Sequence, residues 1–315
     1  MSAPPDGRPP DSRPPDGRPP DSRPPDSRPP DGRTGLERLE AVLRELEDVI
    51  VAFSGGADSA FLAAVAHRTL GSSHVMCVTA VSDSLSEDDR AHCRALAAQW
   101  GLRWTTVDTG EMADPEYVRN DGNRCARCKD ALMARLVPLA AEHRATVVLG
   151  VNVDDLGDHR PGQAAAAAAG ARFPLVDAGL TKADVRAWSK ELGLRTWDRP
   201  AGACLASRLP YGTPVTAPRL RAVADAEAAI RGLGFRQFRV RHHEAVARVE
   251  IADAEIEEAV HRRHEVVAAV KAAGYTFVAL DLEGFRSGSM NRLLVSAAPE
   301  DRAPPAPAPA PAPHA

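Results

Sequence analysis

The sequence predicts an α/β fold in which a doubly wound, mostly parallel sheet is followed by a second, smaller α/β domain. Short apolar runs alternate with helical segments over the first half, and a glycine pair follows the first run. Near residue 200 the pattern changes to closely spaced alternating strands. Strands that alternate with helices of this length are typical of parallel sheets. Because ligands of such sheets bind at the carboxyl ends of the strands, we expect the functional residues there.

The first domain contains four predicted strands with helices between them. A helix at 36–46 precedes the strands, which lie at 48–53, 75–81, 104–109 and 146–152. Helices are predicted at 59–70, 87–101 and 129–143, and a polar loop at 110–124. A capping box of Thr181 and Asp184 opens a further helix at 182–192.

The second domain is predicted to contain a hairpin between helices. A helix at 219–232 leads into two alternating strands at 238–243 and 247–252, which are close enough in sequence to form a hairpin. A helix at 253–273 and a strand at 276–282 follow. We place the domain boundary near Pro200.

The two ends of the chain differ from its middle. Residues 4–33 repeat a five-residue unit, either PPDGR or PPDSR, and residues 303–313 read APPAPAPAPAP. Such Pro-rich, weakly apolar runs cannot bury a core. We therefore predict a disordered repeat at 1–34, a first domain at 35–198, a second domain at 199–297 and a disordered tail at 298–315.

The composition argues against several classes of protein, namely nucleic-acid-binding, membrane and disulfide-rich proteins. The formal net charge of −4 gives no reason to expect binding to nucleic acid or membranes. No apolar run approaches the ~20 residues of a membrane span, and the N-terminus lacks the apolar core of a signal peptide. We expect a cytoplasmic protein with reduced cysteines. Their odd number, five, argues against a complete disulfide framework.

The loop SGGADS at 54–59 has the pattern of a phosphate site. It follows a buried strand and opens a helix, whose free N–H groups attract anions. Asp58 would repel phosphate unless Mg²⁺ intervenes, which suits a metal-bound pyrophosphate. The loop resembles that of the PP-loop ATP pyrophosphatase superfamily, whose members form adenylates. The resemblance implies that ATP binds Ser54, Gly55, Gly56, Asp58 and Ser59, with Mg²⁺ on Asp58.

Three further segments resemble the LarE family of ATP-dependent sacrificial sulfur transferases. They are GVNVDDLGDHRPG (150–162), WDRPAGACLASRLPYGTPVT (197–216) and FRVRHHEAVARVEI (238–251). The resemblance runs from about Leu36 to Leu294, and CLASRLPYG is its most specific part.

The resemblance implies a sulfur transfer to a small nucleotide. The expected substrate is a pyridinium-3,5-dicarboxylic acid mononucleotide, a precursor of the nickel-pincer nucleotide cofactor. The enzyme adenylates a carboxylate, and a cysteine thiolate displaces AMP to give a thioester. Elimination at that cysteine then leaves a thiocarboxylate on the substrate and dehydroalanine on the protein.

The second half of the chain supplies residues that suit this chemistry. Cys204 lies in a loop bounded by Pro and Gly, and Arg208 could lower the pKa of its thiol or hold a phosphate. Arg239 and Arg241 share a face of one strand and suit a phosphate monoester. By resemblance this is the substrate's phosphate, which Ser207 and Arg208 would also contact. Glu227, on the preceding helix, is a weaker candidate for positioning or for a general base.

A CxxC motif, Cys125 and Cys128, raises a second mechanism. With Cys204 it could supply three ligands of a four-iron four-sulfur cluster, leaving one iron open. Some LarE homologues and the TtcA-type tRNA thiolases resemble this three-cysteine pattern, in which the open iron carries the sulfide. We favour the cluster over consumption of Cys204, and both stay open. Cys77 and Cys93 we interpret as core residues.

Three other functions are weighed against the sulfur transferase. A tRNA-thiolating enzyme would need more basic charge, and a ligase or amidotransferase would not need three cysteines. A nucleotide-binding module without turnover would not need an intact SGGADS loop. The family resemblance also implies a homo-oligomer, and contact with the carboxylase and nickel-insertion proteins of the same pathway.

Overall fold

The fold is described from a computed structural model, which covers residues 34–157, 161–199 and 202–286. The Pro-rich repeat, the Ala/Pro tail and Pro200 lie outside these ranges. So do residues 158–160 of the acid-rich segment and residues 287–297 of the predicted second domain.

The first sheet is parallel and has four strands in the order β3-β2-β1-β4. Their bounds are β1 (Val49–Ala52), β2 (Val75–Val81), β3 (Trp104–Asp108) and β4 (Thr146–Leu149). Val51 pairs with Cys77 on one side and Val148 on the other. Consecutive buried residues in β1 reflect a sheet covered on both faces. This confirms the predicted fold class.

Helices cover the two faces of this sheet. In chain order they are α1 (Gly35–Leu46), α2 (Ala57–Leu70), α3 (Glu87–Trp100), α4 (Pro115–Val118), α5 (Arg124–His143), α6 (Pro161–Ala168), α7 (Pro174–Asp177) and α8 (Lys182–Glu191). Val49 and Val51 pack into one core with α1, α2 and α3. Ile50 points the other way, into a core with α5 and α6. The alternation along β1 therefore separates two cores, as successive side chains of a strand require.

The second sheet has three strands in the order β5-β6-β7. β5 (Phe238–His243) and β6 (Val246–Ile251) form the predicted antiparallel hairpin, and β7 (Phe277–Leu280) pairs with β6 in parallel. The helices here are α9 (Ala217–Gly232), α10 (Ile256–His261) and α11 (Arg263–Ala272). They bury a separate core that includes Val240, Val249 and Val270.

Three details of the predicted elements were wrong. The helix expected at 129–143 begins five residues earlier, at Arg124, so the CxxC motif lies in its first turns. The polar loop before it contains α4 and a 3₁₀ turn at Glu111–Ala113. The single helix expected at 253–273 is divided at Arg262 into α10 and α11. The chain division at 198/199 stays a prediction.

None of the described helices combines the length and the apolar character that a bilayer crossing demands.

Candidate active site

The SGGADS loop folds around the hydroxyl of Ser59. That hydroxyl donates to the carbonyl of Gly56 (3.2 Å), lies 3.0 Å from Ser54 Oγ, and accepts from the Ser54 N–H at 3.2 Å. Gly55 has φ +69°, and a Cβ there would lie 2.9 Å from the Sγ of Cys93. Only glycine satisfies both demands without strain. The loop thus leaves the N-terminus of α2 open for an anion.

Asp58 faces a second carboxylate that sequence reasoning did not single out. Burial, reinforced by the nearby Asp155, raises the pKa of Asp58. Asn152 donates from Nδ2 to Asp58 Oδ1 at 3.0 Å, and Lys182 Nζ lies 2.8 Å from Asp155 Oδ1. A carboxylate pair made of partly buried Asp58 and buried Asp155, with a single lysine beside it, is a favourable place for Mg²⁺, whose charge would offset the repulsion. The acid-rich segment after β4 was identified in the sequence. The sequence did not indicate, however, that Asp155 of this segment lies near Asp58.

The Cys204 segment is attached to the carboxyl end of β2. Leu205 N–H donates to the carbonyl of Ser84 at 2.9 Å, and Ser84 follows β2 directly. Cys204 itself is exposed, and its carbonyl accepts from the hydroxyl of Ser207 at 2.7 Å. The cysteine therefore lies on an ordered turn at the same sheet edge as the phosphate loop.

Arg208 and Glu227 form a buried ion pair. Arg208 Nε and Nη2 donate to the two oxygens of Glu227 at 2.9 and 3.0 Å, and each side chain is about 5% exposed. Arg208 Nη1 also donates to the carbonyls of Ala203 and Cys204. Glu227 accepts in addition from the Val240 N–H at 3.1 Å. Both residues hold the main chain around Cys204, which makes Glu227 a positioning residue in this geometry.

Three arginines share one neighbourhood. Arg241 is buried and donates to Glu250 Oε2 at 2.8 Å and to the carbonyl of Ser207 at 3.1 Å. Arg239 lies over the ring of Phe285 and donates to the carbonyl of Phe238. Burial, and then the charges of Arg208 and Arg241, lower the pKa of Arg239 to about 10. A bound anion would relieve this mutual repulsion, so the geometry suits a phosphate.

The structure brings Cys125, Cys128 and Cys204 into one neighbourhood. Cys125 and Cys204 are exposed, and Cys128 is partly buried. Burial is the largest cause that raises the pKa of Cys128 to about 12, and the other two thiols add to the increase. Among the described residues, no set of three side chains is arranged closely enough to hold a metal ion. The three thiols are donors of the type that a thiolate centre needs, but their described arrangement does not form one.

Glu111 is a buried carboxylate that sequence reasoning missed. It lies after β3 and accepts from the hydroxyls of Ser82 (2.5 Å), Ser84 (3.1 Å) and Thr109. It ties together the loops after β2 and β3, and thereby orders the carbonyl that holds Leu205. The pattern SDS after β2 was the available signal, since serines in that place favour a site at the sheet edge.

A cleft opens beside the Cys204 segment. Its volume is about 730 Å³, and its wall includes Ser82, Asp108, Leu205, Leu220 and Arg221. A volume of this size lies in the range of small-molecule sites.

The parallel sheet, the SGGADS loop and the partly buried Asp58 together define a domain of the PP-loop ATP pyrophosphatase class, which uses ATP with Mg²⁺. A family model described as NAD synthase matches residues 38–149. The pyridinium-3,5-bisthiocarboxylic acid mononucleotide synthase of Lactiplantibacillus plantarum is 37% identical over 262 residues, which is 82% of this chain and 94% of the relative. The chain therefore belongs to the LarE family, as the sequence motifs predicted.

Two further relatives carry no assigned activity. The uncharacterized protein slr1717 of Synechocystis is 42% identical over 82% of this chain and 97% of its own length. The uncharacterized protein MJ0830 of Methanocaldococcus jannaschii is 25% identical over 76% of this chain and 91% of its own length.

Proposed function

We propose that this chain is an ATP-dependent sulfur transferase that converts a carboxylate of pyridinium-3,5-dicarboxylic acid mononucleotide to a thiocarboxylate. The name of the Lactiplantibacillus relative states the corresponding product. One structural observation carries the proposal: the turn that bears exposed Cys204 is hydrogen-bonded both to the loop after β2, through Leu205, and to the arginine cluster, through the carbonyls of Cys204 and Ser207. A thiol is thereby available between the sheet edge at which ATP would bind and the arginine cluster that suits an anion.

The first half-reaction belongs to the SGGADS loop. The N–H groups at the start of α2 bind the pyrophosphate of ATP, and Asp58 with Asp155 binds Mg²⁺. The substrate carboxylate attacks the α-phosphate, and pyrophosphate leaves. Ser54 and Ser59 supply hydroxyls at the loop, where they already contact each other at 3.0 Å.

The arginine cluster holds the substrate for the second half-reaction. Arg239 contacts the phosphate of the mononucleotide, with Arg208, Arg241 and Ser207 beside it. Glu227 and Glu250 keep two of the guanidinium groups in place. Fixing the far end of the substrate directs its activated carboxyl group toward Cys204.

Sulfur has two candidate sources in this geometry. In the first, the Cys204 thiolate displaces AMP to form a thioester. Loss of the Cα proton then breaks the Cβ–S bond, forms the Cα=Cβ bond of dehydroalanine and releases the thiocarboxylate. In the second, Cys125, Cys128 and Cys204 would hold a four-iron four-sulfur cluster, which would supply sulfide to the activated carboxyl group. In both cases Arg208 fixes the main chain at residue 204.

Two measurements test the proposal. Wild-type protein, ATP, Mg²⁺ and the pyridinium dicarboxylate mononucleotide should release pyrophosphate and yield a thiocarboxylate detectable by mass spectrometry. Pyrophosphate release that instead requires tRNA or an amine would contradict the sulfur-transferase proposal.

The sulfur source is tested separately. After anaerobic reconstitution with iron and sulfide, a visible absorption band with repeated turnover and unchanged protein mass supports the cluster. Loss of the mass of one H₂S at Cys204, with a single turnover, supports consumption of the cysteine. A Cys125→Ser/Cys128→Ser double variant that still performs one turnover distinguishes the two routes.

The wider organisation is part of the same proposal. We infer that residues 35–198 activate the substrate with ATP and that residues 199–297 bind its phosphate and deliver sulfur. We further propose a cytoplasmic homo-oligomer that contacts the carboxylase and nickel-insertion proteins acting before and after it.

A further inference from the structure

The chain turns sharply after β7 and returns to the hairpin that carries Arg239 and Arg241. The N–H of Gly284 donates to the carbonyl of Asp281 at 3.1 Å, which closes a tight turn. The N–H of Phe285 then donates to the carbonyl of Ile251, the last residue of β6, at 2.9 Å. Residues 281–286, termed here the return segment, are therefore fastened to the end of β6.

Gly284 gives the return segment a defined path. Its φ of +69° is left-handed, and a Cβ there would lie 3.0 Å from the carbonyl oxygen of Ile251. That oxygen accepts the hydrogen bond from Phe285, so it is not free to move away. Because both features disfavour a side chain at residue 284, the bend places Phe285 in one position beside the hairpin.

A series of alternating charges joins the return segment to the arginine cluster. Asp281 Oδ2 accepts from Arg248 Nη1 at 2.5 Å, and Arg248 Nη2 lies 3.1 Å from Glu250 Oε1. The other carboxylate oxygen of Glu250 accepts from Arg241 Nη2 at 2.8 Å. The return segment and Arg241 are thus held by the same buried carboxylate, that of Glu250.

Phe285 contacts Arg239 through the face of its ring. The Cζ atom of Arg239 lies 5.1 Å from the ring centroid, within the distance at which an aromatic face attracts a cation. The N–H donors of a guanidinium point outward in its own plane, and a ring beneath the cationic centre accepts none of them in a conventional hydrogen bond. The ring can therefore fix the orientation of Arg239 without occupying its donors.

The ring also differs from a carboxylate in its effect on charge. Arg208 and Arg241 are held by Glu227 and Glu250, which offset their positive charges. A phenyl ring attracts a guanidinium and carries no net charge. Contact with Phe285 thus positions Arg239 and keeps its full positive charge for an anionic ligand.

We propose that Phe285 is a positioning residue of the mononucleotide site: its ring orients Arg239 toward the phosphate of the substrate, and the return segment holds the ring in place. The inference rests on the proposed function in one respect, namely that the arginine cluster binds this phosphate. It does not depend on the source of the sulfur.

Binding without turnover isolates the contribution of the phosphate. Calorimetry of the full-length protein with pyridinium-3,5-dicarboxylic acid mononucleotide, and with the nucleoside that lacks its phosphate, gives two Kd values. The wild type should bind the mononucleotide about 100-fold more tightly than the nucleoside. Phe285→Leu, which removes the ring and keeps an apolar side chain, should weaken mononucleotide binding about tenfold and leave nucleoside binding unchanged.

Two further variants control for general damage to the fold. Phe285→Tyr keeps the aromatic face and should bind the mononucleotide as the wild type does. Phe277→Leu removes a ring that is 61% exposed on β7 and should change neither Kd. In the pyrophosphate assay, Phe285→Leu should raise the KM for the mononucleotide about tenfold and leave kcat and the KM for ATP unchanged.

A double-mutant cycle tests whether the ring acts through Arg239. Arg239→Gln removes the cation and should weaken mononucleotide binding by more than Phe285→Leu does. Addition of Phe285→Leu to Arg239→Gln should then cause little further loss, because the ring has no cation left to orient. Additive losses would overturn the proposal.

Other results would also overturn it. Equal losses in Phe285→Leu and Phe285→Tyr, or a parallel loss of nucleoside binding, would show a general structural role for residue 285. A wild type that binds mononucleotide and nucleoside equally would remove the phosphate site and the inference with it. A wild type that shows the expected difference in Kd but forms no thiocarboxylate would contradict only the proposed function.

Discussion

The phosphate loop and the sulfur site, by which we mean Cys204 and the buried arginines around it, are held together by different kinds of contact. Residues 54–59 form one continuous segment in which Ser54, Gly56 and Ser59 hydrogen-bond to one another. The sulfur site draws on residues that are distant in sequence: Arg208 reaches Glu227, Arg124 reaches Ala206, and Arg241 reaches Ser207. The loop is shaped by its own glycines, whereas the sulfur site is held by buried arginines.

This difference decides how each region responds to change. A locally folded loop fails when its own backbone is strained. An assembled site fails when one partner of a buried pair is removed, because the other partner is left as an uncompensated charge. The two regions also serve different half-reactions in the proposed function, so damage to one should leave the other measurable.

The largest expected effects are on the rates of the two half-reactions, which we expect to be separable by mutation. Asp58→Asn should lower the rate of pyrophosphate release by about 1000-fold, because the metal that stabilises the transferring phosphate loses a charged ligand. Cys204→Ala should keep pyrophosphate release near the wild-type rate and form no thiocarboxylate. Coupled pyrophosphate assays and mass spectrometry check both. Loss of pyrophosphate release in Cys204→Ala would show that the regions are not separable.

Removal of one buried partner should be the next largest effect. Glu227→Ala leaves Arg208 buried without its carboxylate and should lower the free energy of unfolding by about 3–5 kcal/mol. Glu40→Ala removes the partly exposed partner of the exposed Arg44 and should cost less than about 1 kcal/mol. Urea denaturation of the two variants makes the comparison. Equal losses would mean that the buried pair contributes no more than a surface pair.

Strain in the phosphate loop should have a smaller effect on the free energy of unfolding. Gly55→Ala combines a left-handed φ with a Cβ 2.9 Å from Cys93 Sγ, and should cost about 3 kcal/mol together with ATP affinity. Gly101→Ala has a similar left-handed φ of +66° but nothing within 4 Å, and should cost about 1 kcal/mol with ATP affinity unchanged. Thermal unfolding and ATP titration measure both. A Gly55→Ala protein that binds ATP normally would refute the close packing of α3 on the loop.

The smallest expected effect is a gain in stability. Burial raises the pKa of Asp58, so the folded state holds its proton more tightly than the unfolded state. Ionisation of Asp58 therefore costs stability as pH rises through its folded pKa. Asp58→Asn should stabilise the metal-free protein by about 1 kcal/mol at neutral pH. The gain should vanish below the ordinary aspartate pKa of 3.8. Denaturation across pH tests this, and a neutral-pH loss would contradict it.

The sequence predicted the first sheet well because its information is local. Apolar runs of strand length, separated by helices, identify a parallel sheet, and SGGADS is continuous. The start of α5 was placed too late because Arg124, Cys125 and Cys128 do not form an apolar stripe. The burial of Arg124 depends on contacts with Ala206 and Tyr211, which no local pattern shows.

The partners of the arginines were harder to predict for the same reason. Arg241 was correctly placed with Arg239 on β5, yet its ion pair with Glu250 depends on the register of the hairpin. Arg208 was assigned to Cys204 because the two residues are close in sequence. Its carboxylate partner is Glu227, which lies further along the chain on α9. Charge compensation inside a fold is a tertiary property, and a sequence lists the charges without the pairs.

The hydrogen bonds on both sides of Cys204 have a consequence for the lifetime of the protein. Ser84 holds the next residue, and Arg208 holds the carbonyls of residues 203 and 204, so none of these contacts involves the sulfur atom. A molecule that has given up its sulfur would keep the hydrogen bonds that order this turn, so the loss alone would not unfold it. If the cysteine is spent, inactive copies would therefore persist in the cell, and cluster-based delivery at the same turn would avoid that burden.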